Sequence, residues 1–211
     1  MPRIAKKSGT YHHGDLRRVL LETAVRVIDH DGLSALSLLA LARKAGVSSG
    51  APYHHFESRE QLLIAIADEG FERLVAEMKR GAAEANADAA SQLRGLGLGY
   101  IRFALAHRGH FRVMFRTEFQ RHLSNPHAVP GGEGFGMLRD AILRCQAEGL
   151  APSGDPMSLV LIAWSCVHGA SALWIDGSLG NKPLVVDEET LATMISSTIV
   201  QLIAASGSRA S

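Results

Sequence analysis

The chain is short of several things, and each shortage excludes a class of protein. Only two of its 211 residues are cysteine, Cys145 and Cys166. They have no metal-ligand spacing and each sits in an apolar helical pattern. A disulfide framework and a zinc module are therefore excluded, and two free thiols in a reducing cytosol are expected. No uninterrupted apolar run reaches the length of about eighteen residues that marks a membrane-spanning helix. Residues 155–175 come nearest, but Ser158, Ser165, His168 and Ser171 interrupt them, so no membrane partner is expected. The opening MPRIAKKSGTYHHG is basic without an apolar core, which argues against a secretory signal. No stretch alternates like a strand and no repeat is visible, so the expected fold is all-α.

Catalytic signatures are missing too. There is no G-x-S-x-G, no phosphate-binding loop and no dinucleotide fingerprint. Ser165, His168 and Asp176 fall 3 and 11 residues apart on one helix, a spacing that cannot converge on one substrate atom. The ten histidines include no H-E-x-x-H pair, and the adjacent pairs His12-His13 and His54-His55 are poor at holding one metal from a helix. The expectation is a protein that is not an enzyme, with no metal site and no cofactor.

What is present begins with an uneven charge. The net value is +1, but residues 1–18 carry Arg3, Lys6, Lys7, Arg17 and Arg18 against Asp15 alone. A basic end on a near-neutral body suggests that this end meets a polyanion. Residues 1–13 read as a flexible arm, too polar to bury themselves, with Lys6 and Lys7 placed to lie along phosphates or in a minor groove.

The most informative stretch is SLLALARKAGVSSGAPYHHF, Ser37 to Phe56. Ser37 has the chemistry of an N-cap. Leu38, Leu41, Ala42 and Ala45 fall at i, i+3, i+4 and i+7, one apolar helical stripe. Gly46 suits an exit through the left-handed conformation, and Val47 has the character of a plug between helices. Ser48 or Ser49 then caps a second short helix over about Gly50 to His55. Ala42 is small where two steeply crossed helices would approach. Pro52 is tolerable in a first turn, where N–H groups lack intrahelical acceptors, and its ring can point inward. Outward go Ser48, Ser49, Gly50, Tyr53, His54 and His55, groups suited to phosphates and base edges. An ordinary helical hairpin would carry more apolar residues on its second helix. The pattern is that of a helix-turn-helix with its second helix in the major groove. Tyr53 and His55 are candidates for phosphate. His54 is the candidate for a base edge, since no Arg, Asn or Gln is available there.

Around this motif the expected order is an arm over 1–13, a three-helix DNA-binding head over 14–60 and a larger helical body over 61–211, about nine helices in all. A first helix starts at Asp15 and stops at Asp31-Gly32. A fourth begins with a capping box of Ser58 and Gln61 and runs to about Arg80. The fifth covers about Asp88 to Arg108, where Gly95, Gly97 and Gly99 weaken the pattern. The sixth is HFRVMFRTEF, the seventh about Glu133 to Glu148, the eighth about Asp155 to Asp176, and the ninth begins at Asp187, Glu188 and Glu189. An effector cavity in this body is expected to draw on Phe103, Phe111, Met114, Phe115, Phe119, Phe135, Leu138, Trp164 and His168, with His168 as the polar group in an oily pocket. The wide apolar stripe of the ninth helix, with the eighth, suits a symmetric four-helix interface with a second copy.

The run from Leu16 to about Glu72 resembles the DNA-binding head of TetR-type transcriptional regulators. The residues that carry it are Gly32, Ser37, Leu41-Ala42, Ala45-Gly46-Val47-Ser48, Tyr53, His55-Phe56 and Leu62. Arg59 stands where the family usually has lysine, and Pro52 where it usually has leucine. Trp164-Ser-Cys-Val-His168-Gly169 is similar to the signature of the WHG-type C-terminal domain on some of these regulators. Tyr11 to Leu16 and Ala51-Pro52 also look typical of that branch. The resemblance implies a cytoplasmic homodimer, built through its last two helices, that binds a near-palindromic double-stranded operator. It implies that an unidentified small-molecule effector in the body releases the DNA, with repression the commoner outcome. By position, it makes Ser48, Ser49, Gly50, Tyr53, His54 and His55 the recognition-helix contacts, and Ser37 and Arg59 the phosphate anchors. A helical carrier of small molecules without DNA function is the alternative, and the basic arm and polar second helix argue against it.

Overall fold

The apolar residues Leu20, Ala24, Val27 and Ile28 recur at helical spacing, and in the computed structural model they form the buried face of α1, His13–Asp31. The structure describes residues 13–120, 132–179 and 187–207. Among them there is no strand, as the sequence led us to expect, and there are nine α-helices and two short 3₁₀ segments. The chain divides into two units between Ile66 and Ala67.

In the first unit, α1 starts at His13, two residues before the expected Asp15. A 3₁₀ turn, Leu33–Ala35, leads to α2, Leu38–Ala45. Ser37 caps α2 as expected: its Oγ accepts from the Ala40 N–H at 3.1 Å. Gly46 leaves the helix at φ 69°, where a side chain would be strained. Leu41 and Ala42 are buried, while Val47 is only half-buried. A second 3₁₀ segment, Ala51–His54, follows, and then α3 begins at Arg59. The Arg17 guanidinium lies 5.3 Å from the centre of the buried Phe56 ring, a cation–π contact that ties α1 to the end of the motif.

The helix α3 runs Arg59–Ala83, so the division between units falls inside it rather than at residue 60. The Ser58 hydroxyl accepts from the Gln61 N–H at 3.2 Å, but Gln61 reaches back to the Glu57 N–H at 3.1 Å, not to that of Ser58. The expected capping box is thus shifted by one residue on its return arm.

The second unit is arranged about α4, Ala89–Ala106, which Asp88 caps through the Ser91 N–H at 2.8 Å. Its glycines have a physical reason. A methyl group on Gly95 would run into the Gly81 carbonyl, and one on Gly99 into that of Glu77. Helices α3 and α4 therefore touch backbone to backbone, and the residues that weakened the helical pattern are what permits the crossing. The expected sixth helix is two: α5, Arg108–Met114, and α6, Thr117–Gln120. Then come α7, Glu133–Ala147, α8, Met157–Ile175, and α9, Glu188–Gly207. Helix α4 packs on α7, α8 and α9. Asp187 caps α9, accepting from the Thr190 N–H at 2.7 Å. Arg102 pairs with Glu84 and Glu189, and Arg108 with Glu188. These pairs are largely exposed and locate the start of α9 rather than add much stability.

Helix α8 is the interrupted apolar run of residues 155–175. With a mean hydropathy of 1.6 it is long and apolar enough to cross a membrane by length and composition, because its serines and His168 lower the average too little. Here one face, with Val160, Ala163 and Val167, is buried, while Leu161, Ile162 and Leu173 are exposed.

Candidate nucleic-acid interface and candidate effector cavity

The candidate interface is the turn between Gly46 and Phe56. The second element of the motif is a 3₁₀ segment of four residues, not an α-helix, and its N-cap is Gly50 with no side-chain cap bond. Neither Ser48 nor Ser49 caps it. The Tyr53 N–H bonds to the Gly50 carbonyl at 3.1 Å and the His55 N–H to that of Pro52 at 3.0 Å. Pro52 has no N–H to give, and within the segment the bonds close the tighter ring, while just past it the Phe56 N–H reaches the Pro52 carbonyl at 2.9 Å in an i→i+4 bond. The Pro52 ring is buried, as expected of an inward position, and it holds the segment against the core. Ser48, Ser49, Gly50, Tyr53 and His54 are brought together and exposed, Tyr53 to 55%. His55 is half-buried, so it stands apart from that outward group.

The two expected phosphate anchors are already engaged. Ser37 Oγ accepts from Ala40, which leaves its hydroxyl hydrogen to donate. Arg59 donates from Nε to the Leu36 carbonyl at 2.9 Å and from Nη2 to the Leu33 carbonyl at 2.8 Å. It clamps the loop that enters α2, and its other guanidinium donors remain. On the last turn of α2, Arg43 and Lys44 are exposed. The sequence reading passed over both, although cations beside such a motif are a signal for phosphate contact. Lys44 also pairs with Asp31 at 2.5 Å, and this pair holds the Asp31 carboxyl below its ordinary range. Lys6 and Lys7 lie outside the described residues.

In the second unit an apolar cavity of about 140 Å³ opens between helices. Its size matches the cavity of about 150 Å³ that stays dry and takes up benzene in a well-studied protein core. Helix α3 lines it with Phe71, Leu74, Val75 and Met78, and α4 with Leu93, Leu96, Gly97 and Tyr100. Phe135 and Leu138 of α7 and Trp164 of α8 complete much of the wall, with Phe115 beyond α5 and Ser196 and Ile199 of α9. Among the described residues no charged side chain lines it.

Four of the nine expected cavity residues, Phe115, Phe135, Leu138 and Trp164, are on this wall. Phe103, Phe111 and Met114 are not. Phe103 and Met114 are fully buried in helix packing, with Met114 against Gly70, and Phe111 meets Tyr100 and Phe115 edge-on. The Phe119 side chain lies outside those described. Aromatic residues at helical spacing mark a core, but spacing alone cannot separate the layer facing the void from the layer behind it. The α3 and α4 residues were legible as inward stripes, not as a wall.

His168 is also behind the wall. Phe115, Phe111 and Trp164 surround it, with ring centres 4.6, 5.1 and 5.7 Å away. Its Nδ1 shares a hydrogen bond of 2.8 Å with the Tyr100 hydroxyl. Burial lowers the His168 pKa and raises that of Tyr100, so both are neutral at physiological pH. His168 thus orients Tyr100, and Tyr100 is the group that reaches the cavity. The other polar group there, missed in the sequence, is Ser196 Oγ, which is buried and has no hydrogen-bond partner. A phase one residue later for the α9 stripe, through Ala192, Ser196, Ile199 and Ile203, would have found it.

Comparison with known proteins agrees with this division. Residues 20–66 match the family described as "Bacterial regulatory proteins, tetR family". Residues 93–198, half of the chain, match "Tetracyclin repressor-like, C-terminal domain". Over 49 residues the chain is 47% identical to the HTH-type transcriptional regulator BetI of Rhizobium meliloti, covering 23% of this chain and 24% of that protein. It is 31% identical over 110 residues to the HTH-type transcriptional repressor KstR2 of Mycobacterium tuberculosis, covering 52% and 54%. The matches thus span about half or less of these curated relatives. A solved structure of a protein of unknown function from Rhodococcus sp. RHA1 is 34% identical, covers 93% of this chain and 100% of its own, and superposes with a TM-score of 0.74. With both its head and half its length matched, the chain belongs to the TetR family of bacterial transcriptional regulators.

Proposed function

We propose that this protein is a transcriptional repressor that binds a near-palindromic duplex operator and leaves it when a small molecule fills the apolar cavity. The observation that carries the reading is the cluster of exposed Ser48, Ser49, Gly50, Tyr53 and His54 on one short turn, held in place by the buried Pro52. Small polar groups and an aromatic hydroxyl on a rigid turn can approach phosphates closely, and His54 can meet a base edge. The protein works in the cytoplasm and performs no catalysis, as its family membership supports. Lys6 and Lys7 add charge along the backbone, and Arg59 positions the entry to α2 as well as facing phosphate.

The protein acts as a homodimer through α8 and α9. Exposed Leu161, Ile162 and Leu173 on α8 and exposed Met194 and Leu202 on α9 support this, since large apolar groups of this kind are normally covered. A two-fold pair would set two heads on half-sites about 34 Å apart or a multiple of it.

The test is selection of bound duplexes from a random pool, followed by titration at several salt concentrations. A specific half-site pair and a steep salt dependence are expected. Tyr53→Ala should weaken operator and random duplex alike by about tenfold, and His54→Ala should mainly narrow the gap between them. A monomeric protein that ignores every duplex at low salt would end this reading.

A further inference from the structure

We propose that Ser196 is the polar anchor of the effector, and that the effector is a small neutral molecule of about one ring in size carrying a single hydroxyl group. This rests on the cavity being the effector site. Ser196 is 2% exposed, its Oγ has no hydrogen-bond partner, and it stands on the cavity wall. A buried hydroxyl left without a partner is costly, and natural cores rarely leave one so. The other serine buried in this unit obeys that rule: Ser171 Oγ donates to the Val167 carbonyl one turn back, at 2.8 Å. Ser196 makes no such bond.

The packing around Ser196 leaves its hydroxyl covered but unbonded among the described residues. It faces Gly97 of α4, where an added methyl group would lie 2.9 Å from Ser196 Oγ. Any other residue at position 97 would collide with the oxygen and force the serine to move, so glycine here fixes where the hydroxyl sits. Tyr100, the next turn of the same wall, already shares its hydroxyl with His168. Among the described residues of this wall, Ser196 thus carries the one hydroxyl without a partner.

These facts limit the guest. Among the described residues the lining has no charged side chain to compensate a carboxylate or an ammonium group, which points to a neutral guest. A volume of about 140 Å³ admits one aromatic ring or its aliphatic equal. Phe115, Phe135 and Trp164 supply ring faces. A serine hydroxyl both gives and accepts, so a hydroxyl on the guest completes it.

Phenol and benzene are the probes, titrated calorimetrically into the full-length protein and its Ser196→Ala variant. Benzene should bind both proteins equally. Phenol should lose about tenfold in affinity for the variant, the scale of one hydrogen bond. Without a guest the variant should melt no lower than the parent, because it removes an unpaired group. Equal phenol affinities, or a lower melting temperature for the variant, would overturn the anchor. Binding of benzene alone by the parent would overturn it too, while leaving the cavity as an effector site. If neither probe binds, both fall. If phenol binds through Ser196 yet leaves an operator complex intact, the anchor stands and the effector reading fails.

Discussion

In the first unit the polar groups without internal work point outward: Ser48, Ser49, Tyr53 and His54 are exposed on a turn whose backbone is fixed. In the second unit the corresponding group, Ser196 Oγ, is shut inside. The first surface remains in water until a large polyanion displaces that water. The second is withheld from water, and on the proposed reading its partner is a molecule small enough to enter. On the proposed reading one chain carries two kinds of recognition, each placed where hydrogen-bonding capacity is left unused.

The comparison can be broken most severely at the α3–α4 crossing, which frames the cavity. Gly99→Ala drives a methyl group into the Glu77 carbonyl. Overpacking of this kind should cost about 3 kcal/mol, read as a lowered melting temperature, and should abolish probe binding. In the first unit, Arg59→Ala removes two charge-assisted bonds to the Leu33 and Leu36 carbonyls. It should cost about 1–2 kcal/mol and weaken every duplex equally. Loss of DNA affinity with undiminished stability would show that Arg59 serves phosphate rather than the loop. Ser37→Ala, which deletes the α2 cap, should cost about 1 kcal/mol in denaturant melts.

The smallest effect is on pH dependence. Burial lowers the His168 pKa below its ordinary 6.5. The unfolded chain therefore takes up the proton first, and stability is full above pH 6.5 and declines as the pH falls below it. His107, lowered by burial and by nearby His110, adds to the same slope. His168→Gln should flatten the decline between pH 6.5 and 5 without removing it, measured by melting across that range.

What could be read from the residues follows the distance over which each feature is determined. Ser37, Gly46 and Pro52 act within a turn or two of themselves, and the structure puts all three to the use their chemistry suggested. The type of the second element differs from the expected α-helix, while its place does not, because a proline-bearing segment of four residues satisfies i→i+3 bonds as readily as it starts an α-helix. The cavity is non-local, with walls from α3, α4, α7, α8 and α9. A helical stripe says that a residue faces inward, but not whether it meets another side chain or a gap. Gly95 and Gly99 illustrate the same limit: read singly they weaken a helix, and only the partner backbone explains them.

The shortness of the exposed turn has a consequence of its own. Four residues rising about 2.0 Å each extend roughly 8 Å, little more than two base-pair steps of about 3.4 Å. One copy can spell out only a very short word, and such words recur constantly along any chromosome. An unambiguous address must be composed of several words at fixed spacing, so if copies pair as proposed, the range of sites this protein distinguishes is set by how they are yoked together as much as by the letters each one touches.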